Sequence, residues 1–522
     1  MADVVDLERV LSRMSGFDPE IEMKKVRTLH DVEEGRGPEP SGVTSPNGTL
    51  TPSAEDEKQD AWARRPGQKD PNAVYWDGPD DPENPMNWPQ WKKNVAIGIA
   101  SSITFVTPLA SSMFAPGVPQ VMHEFKSTNT ELASFVVSVY ILGFAVGPLF
   151  LSPASELWGR NILYNVTNVC FCLCTVGCAL APNLNFLIGF RFLAGCFGAA
   201  PLTIGGGTIT DVTTADQRGV AMALFSAGPL LGPVVGPIIG GFLTQAKGWR
   251  WVFWLLVILS GFMSAMTFLF LRETYAPTLL AARARKLRKS TGNQQLRSAL
   301  ASDLPAFTIF KQAIIRPLQL LFTSPIVFFL SLYTAVNYGY LFLLFTTFPT
   351  VFQNIYGFTT GTVGLAYLGL GLGSLLGLFA MGLISDRLLV RLTAKAGVRK
   401  PEFRLPPMIY GSALIPIGLF WYGWTAENHV QYMAPIIGTS FVGIGLLTTF
   451  MPVLTYLVDA FEAYSASALA AATVLRCVFG ATLPIAGPKM YDQLGLGWGN
   501  SLLAFIAIAL MPVPWVFNRY GE

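Results

Sequence analysis

Charge is what this sequence has little of. Asp, Glu, Lys and Arg make up 13% of its 522 residues, against about 25% in soluble domains, while 51% are hydrophobic. With a mean hydropathy of +0.44 over this length, the chain cannot be the core of one soluble globule; its solvent is largely lipid. A net charge of +3 is too small to point to nucleic acid, and no nucleic-acid partner is expected. Histidine is almost missing, at three residues, and H-E-x-x-H, G-x-S-x-G and G-x-x-x-x-G-K-[ST] are all absent. Hydrolase chemistry and ATP-driven pumping therefore have no visible residues, so no enzyme activity and no cofactor is expected. GLGLGSLLG, Gly369 to Gly377, has dinucleotide-loop spacing but sits mid-span with no strand before it, and reads as helix packing. All six cysteines lie in apolar segments, which argues against a disulfide framework. Cys170, Cys174 and Cys178 share a helix face, yet no His or carboxylate nearby in sequence completes a metal site, and they read as packing residues. The start, MADVVDLERV, has no apolar h-region, so no cleavable signal is expected.

Long apolar runs, by contrast, are abundant. Crossing about 30 Å of hydrocarbon takes roughly 20 residues of helix. Twelve such windows occur, near 95–116, 132–151, 162–181, 186–209, 220–244 and 250–271, then 326–352, 361–384, 407–426, 431–458, 466–488 and 499–518. The expected fold is all-α: two pseudo-symmetric six-helix bundles, 94–271 and 326–518, joined by a basic connection at 272–325. Residues 1–93 are polar and Pro-rich and are expected to be mostly disordered, with 519–522 a short C-terminus. Trp88, Trp91, Lys92 and Lys93 suit a membrane interface.

Arg160, Arg218, the run from Arg272 to Arg316 and the run from Arg387 to Arg404 all lie on the tail side. The opposite loops hold Lys126, Lys247, Arg250 and Lys489. The positive-inside rule then places the tail, the connection and the C-terminus in the cytoplasm. Two sequons, Asn47-Gly-Thr and Asn165-Val-Thr, would thus lie in the tail and within a span, out of reach of glycosylation.

Three features carry chemistry. SPASELWGRN, with Glu156, Gly159 and Arg160, follows span 2, and GLISDRLLVR, with Asp386 and Arg387, follows span 8. Acid and arginine at equivalent mouths suggest a duplicated gating element. In GPLLGPVVGPIIGG, Gly228, Gly232, Gly236 and Gly240 form one stripe down span 5. Pro229, Pro233 and Pro237 lie beside it, and Gly241 follows. Such a stripe lets another helix approach backbone to backbone, as a surface along which the two halves slide. Arg191 and Arg476 are the ionisable residues well inside spans, and such residues are costly and usually functional. Snorkelling outward remains open for Arg191, and a structural bond to carbonyls for Arg476. Acids stay at the rims: Glu131 and Glu427 on one side, Glu156, Asp211, Asp386 and Asp459 on the other. With arginines and no deep counter-charge, a neutral or anionic, largely apolar cargo is expected and a polyamine is not.

The chain resembles the major facilitator superfamily, most of all its fungal twelve-span drug:proton antiporter branch, over roughly residues 80 to 518. The resemblance rests on Glu156-Leu-Trp-Gly-Arg160 at the D-R-x-G-R loop, GFRFLAGCFGAA at the fourth-span motif and the tandem span-5 motif. RETYAP, RKPEFRLPP and TYLVDAFEAYSASALAAATVLRCVFG add to it. It departs where the usual Arg is Leu157, where the acid is Glu, and where Gly382, Asp386 and Arg387 lack the trailing Gly-Arg. The resemblance implies alternating access, proton coupling involving Arg191, a span-5 stripe that seals the pathway in exporters, and a cavity lined by spans 1, 4, 7 and 10. Tyr333, Asn337, Tyr338, Tyr340 and Phe345 of span 7, Tyr140 and Phe144 of span 2, and Tyr456 of span 10 are candidate walls, or simply packing. The expected protein is a monomeric exporter of a toxic metabolite or xenobiotic in the plasma membrane, rather than the vacuolar one. A facilitative or proton-symporting nutrient carrier of the same fold is the alternative; the sequence after span 6 is Arg272-Glu-Thr-Tyr-Ala-Pro, not the sugar-porter P-E-T-K/R-G.

Overall fold

The computed structural model describes residues 72–78, 80–300, 305–397, 400–461 and 464–520. The first crossing is α1 (Gln90–Ser112), which bends at residues 113–117 into α2 (Val118–Glu124). α3 (Thr130–Trp158), α4 (Arg160–Ala179), the pair α5 (Leu184–Gly198) and α6 (Ala200–Val212), α7 (Ala215–Lys247) and α8 (Arg250–Phe270) complete a first six. The connection is itself helical, with α9 (Ala276–Thr291) and α10 (Ala306–Thr323). The second six comprises α11 (Pro325–Asn354), α12 (Thr360–Ala396), the pair α13 (Pro406–Ser412) and α14 (Leu414–Glu427), α15 (Met433–Ala460) and α16 (Ser465–Leu510), with α17 (Pro512–Tyr520) after it. Starts are marked by side-chain caps: Asn129 accepts from the Glu131 and Leu132 N–H groups, and Asn183 from that of Phe186.

By length and apolarity eleven stretches can cross a bilayer, the last being Ser465–Arg519. That stretch has 55 residues, which as one straight helix would measure about 80 Å, far beyond the hydrocarbon. Gly495 breaks it, with φ 74° and ψ 174°. Across the break the Tyr491 hydroxyl donates to Asn500 Oδ1 at 3.1 Å, and a methyl on Gly499 would lie 2.6 Å from the Tyr491 ring. Eight residues of straight helix would hold those groups about 12 Å apart. The chain therefore turns back at Gly495, and the described residues make twelve crossings. Gly248 forms the matching corner between α7 and α8 with φ 88° and ψ 162°. Both corners need the left-handed region that glycine enters without penalty, and their equivalent positions fit a duplicated six.

The tail was expected to be disordered through residue 93. Residues 1–71, including VVDLERVLSRM and Asn47, lie outside the described residues, but residues 72–78 and 80–93 are built into the fold. β1 (Ala73–Val74) pairs in parallel with β2 (Arg297–Ser298) of the connection. Asp81 accepts from the N–H groups of Asp77 and Glu83, each at 2.9 Å, and from Arg283 Nη1 of α9 at 2.8 Å; Arg283 also pairs with Asp77. Burial pushes the Asp81 carboxyl up, but the two backbone donors and Arg283 outweigh it, and it titrates below its ordinary 3.8. A carboxylate depressed in the folded state stabilises at pH above 3.8 and loses that contribution as pH falls below it. Amide protection of residues 80–88, followed by hydrogen–deuterium exchange, is expected to hold from pH 8 to 5 and to collapse on acidification below 3.8. Arg283→Ala should abolish the protection at neutral pH.

Candidate functional site

On the tail side, α3 passes into α4 through Gly159 alone, at φ 95°. A side chain there would also strike the Glu273 carboxylate. Glu273, just before α9, accepts from four backbone N–H groups. Arg160 and Asn161 at the start of α4 donate at 2.9 and 3.1 Å, and Thr274 and Tyr275 leading into α9 at 3.0 and 2.9 Å. One carboxylate thus caps two helix starts, where orphan donors and the positive dipole end favour an anion. The Arg160 side chain lies against Gly207 of α6. Its Nε pairs with Asp211 at 3.4 Å, its Nη1 donates to Ser155 Oγ at 2.8 Å, and its Cζ lies 4.7 Å from the Tyr275 ring centre. Thr274 Oγ1 donates to Asp211 at 3.3 Å. Glu156 is exposed and makes no ion pair with Arg160 among the described residues, though its negative charge acts on the Tyr275 hydroxyl of the cluster.

The second half builds a matching corner around Arg404, a residue the sequence did not single out. Asp386 and Arg387 were the anticipated counterparts of Glu156 and Arg160. Arg387 is exposed on α12, and the Asp386 side chain lies outside the described residues. The counterpart of Arg160 is Arg404: its Nε pairs with Asp459 at the end of α15 at 3.0 Å, and its Nη1 reaches Ser385 of α12 at 3.5 Å. Arginine, serine and aspartate come from equivalent helices in both halves. Asp211 lies 51 residues after Arg160, and Asp459 55 after Arg404. That near-equal spacing was the available signal.

The glycine stripe is also placed differently. It faces α1, inside its own half. A methyl on Gly228 would lie 2.9 Å from Phe105 N, on Gly232 2.8 Å from Leu109 N and on Gly236 2.5 Å from Ser112 Oγ; on Gly240 it would overlap the Met113 carbonyl. The seam between halves runs down another face of α7. There Val234 packs on Gly371, Pro237 and Ile238 on Gly364, and Gly241 on the carbonyls of Thr360 and Gly361. Gln245 Oε1 accepts from Gly361 N–H at 2.9 Å and Thr359 Oγ1 at 3.1 Å. The second seam joins α3 to α16: Ser138 Oγ donates to the Ala481 carbonyl at 2.8 Å, and Glu131 pairs with Lys489. These ties lie toward the side away from the tail. On the tail side, no ion pair between the halves occurs among the described residues. The molecule is held shut on its far side.

The two interior arginines differ. Arg191 of α5 is 1% exposed, so it does not snorkel. Its Nη2 donates to the Ser111 and Val137 carbonyls, both at 3.3 Å, and its guanidinium lies 4.8 Å from the Phe114 ring centre and 5.5 Å from that of Tyr140. No carboxylate is among these contacts. Arg476 of α16 is half-buried between the rings of Tyr338 and Phe450, at 4.7 and 4.8 Å.

Most of the candidate cavity walls are packed inside the bundles. Tyr140, Tyr333, Tyr340 and Tyr456 are 1–2% exposed, Asn337 5% and Phe144 8%. The Tyr140 hydroxyl donates to the Thr107 carbonyl and that of Tyr340 to the Leu503 carbonyl, both at 3.0 Å. Asn337 Nδ2 donates to Thr449 Oγ1 at 3.4 Å. Alone of the span-7 aromatics singled out, Tyr338 keeps partial exposure. The cysteines are free, and no group of potential metal ligands occurs among the described residues.

With this geometry in hand, the likeness to known proteins is informative. The family model of the Major Facilitator Superfamily matches residues 100–484. The MFS-type transporter penM of Penicillium rubens is 57% identical over 454 residues, covering 87% of this chain and 89% of the relative. The MFS-type transporter atr4 of Stereocaulon alpinum is 56% identical over 453 residues, 87% and 82% of the two chains. The efflux pump radE of Floropilus chiversii is 53% identical over 457 residues, 87% and 85%. Among solved structures, a partially occluded inward-open form of the xylose transporter XylE from E. coli superposes with a TM-score of 0.62 at 16% identity. It covers 82% of this chain and 98% of its own, a likeness of fold alone. Twelve crossings in two sixes, matched tail-side corners and relatives named as transporters and an efflux pump lead to one conclusion: the chain is a multi-pass membrane transporter that belongs to the Major Facilitator Superfamily.

Proposed function

We propose that the protein is a proton-coupled exporter that carries a small organic molecule, a secondary metabolite made by the same cell, out across the plasma membrane by alternating access. One observation carries this reading. The halves meet along small-residue seams on the far side, while each tail-side corner is cross-linked within its own half. Each half can then rock as a body about a central cavity, parting at seams made of packing, a few hydrogen bonds and the Glu131–Lys489 pair. The outward direction is supported by the likeness to radE, which is named an efflux pump, and by the span-5 motif. Basic residues in the tail and connection support cytoplasmic termini. When the tail side closes, Glu156, Asp386 and Arg387 supply gate charges, with Arg160 and Arg404 holding the helix ends in place. Asp386→Asn should then favour the form open toward the cytoplasm. The chain acts as a monomer and needs no cofactor beyond the coupling proton.

Yeast lacking its own drug pumps and expressing the protein should accumulate less of a toxic dye, and a protonophore should erase the difference. Greater accumulation, with uptake driven by the proton gradient, would favour the nutrient-carrier alternative.

A further inference from the structure

Arg191 and Arg476 are the same residue type inside membrane-spanning helices, yet the fold treats them differently. Arg191 is sealed, and two main-chain carbonyls accept its hydrogen bonds. Arg476 lies eleven residues into α16, about 16 Å along the helix. The buried Nε of each arginine has no partner, but Arg476, unlike Arg191, makes no hydrogen bond to a carbonyl and no ion pair among the described residues. The polar group beside it is the Cys477 thiol. A guanidinium in such a place is costly unless something completes it.

Its surroundings specify what that is. The Tyr338 and Phe450 rings, from α11 and α15, lie near the guanidinium and pin its position. With the rings against it, the N–H groups are left to bond at the edge, in the plane of the fork. A fork of parallel N–H donors matches a flat, delocalised oxyanion, which accepts two parallel bonds. Around the site the walls are apolar: Tyr338 and Ile141 of α3 both lie close against Gly480, and the Phe342 ring lies tilted beside Tyr338 at 5.1 Å. Arg476 keeps partial exposure beside these walls, whereas Arg191 is sealed.

We propose that Arg476, held between Tyr338 and Phe450, is where the cargo is recognised as an anion, and that the cargo carries a carboxylate or acidic enol on an otherwise apolar skeleton. This rests on the exporter reading and narrows its substrate class. The cargo supplies the counter-charge that the membrane interior lacks, and an arginine suits this because it does not give up its proton.

The test uses the full chain in lipid nanodiscs with three probes of one shape: 2-naphthoate, neutral 2-naphthamide and cationic 2-naphthylmethylammonium. The naphthoate should bind about tenfold or more tighter than the amide, and the cation should not compete. Arg476→Gln should bring the acid-to-amide ratio near one, and Arg476→Lys should restore part of it. A role confined to folding would change both affinities and leave their ratio. Equal binding of acid and amide, binding of neither, or an acid preference that survives Arg476→Gln overturns the proposal. Cellular efflux separates the two readings. Export of the acid unchanged in Arg476→Gln sinks anion recognition and keeps the exporter; Arg476-dependent binding without any export does the reverse.

Discussion

Gly240→Leu is expected to leave the chain inserted but unable to hold its first bundle together. The glycine stripe of α7 lies on α1 with no room for a methyl: the added carbon meets backbone atoms at Gly228, Gly232 and Gly240. Backbone cannot move aside as a flexible side chain can. The two helices must separate along their length, at a cost of about 3 kcal/mol or more. Size-exclusion profiles after mild heating should show aggregation at temperatures where the parent remains monodisperse. Gly189→Leu is the matched control, because a methyl on that α5 glycine meets nothing within 4 Å. Gly364→Leu should behave differently again. Its added carbon would lie 2.5 Å from the Pro237 carbonyl and 2.9 Å from Ile238 Cα, across the seam between halves. The bundles should stay folded while their far ends are pushed apart. Spin labels at Thr128 and His429, both exposed on far-side loops, should then report longer distances than in the parent. A stable Gly240→Leu protein with full transport would contradict the stripe's role as a bundle contact. Unchanged label distances in Gly364→Leu would contradict the seam.

Glu273→Ala should be the most damaging single change on the tail side. Its carboxylate accepts four backbone N–H groups and joins the start of α4 to the start of α9. One helix cap contributes about 1 kcal/mol and hydrogen bonds to a charged group more, so the loss should reach about 3 kcal/mol. Arg160 would lose its anchored backbone, and with it the geometry toward Asp211 and Ser155. A lowered Tm in nanodiscs, with slower transport at temperatures where the fold survives, is the expected result. Glu273→Gln keeps one acceptor oxygen and should lie between. An unchanged Tm for Glu273→Ala would show that water replaces the carboxylate at both helix starts.

The crossings were legible from hydropathy because insertion into lipid depends on each residue's own transfer free energy, summed over some 20 neighbours. The stripe was legible too, since residues four apart share a helix face wherever the helix sits. Periodicity does not say which neighbour that face meets. Spacing alone suggests a sliding surface between halves, whereas the stripe is an intra-bundle contact and the seam is the face bearing Val234, Pro237 and Gly241. Likewise Glu156 is four residues from Arg160, yet that arginine's partners are Asp211 and Ser155.

By itself, then, the sequence determined that this is a lipid-embedded, twice-six helical transporter, that its basic loops lie with its tail, and that two arginines stand inside the membrane without acids. Those are local properties, set by composition and helical period. Only the tertiary structure decided which arginine is sealed and which is open, which residues form the tail-side corners, and which glycines separate the halves. Such choices depend on helix rotation and crossing, which arise from many weak contacts between residues far apart in the chain, and no single segment encodes them.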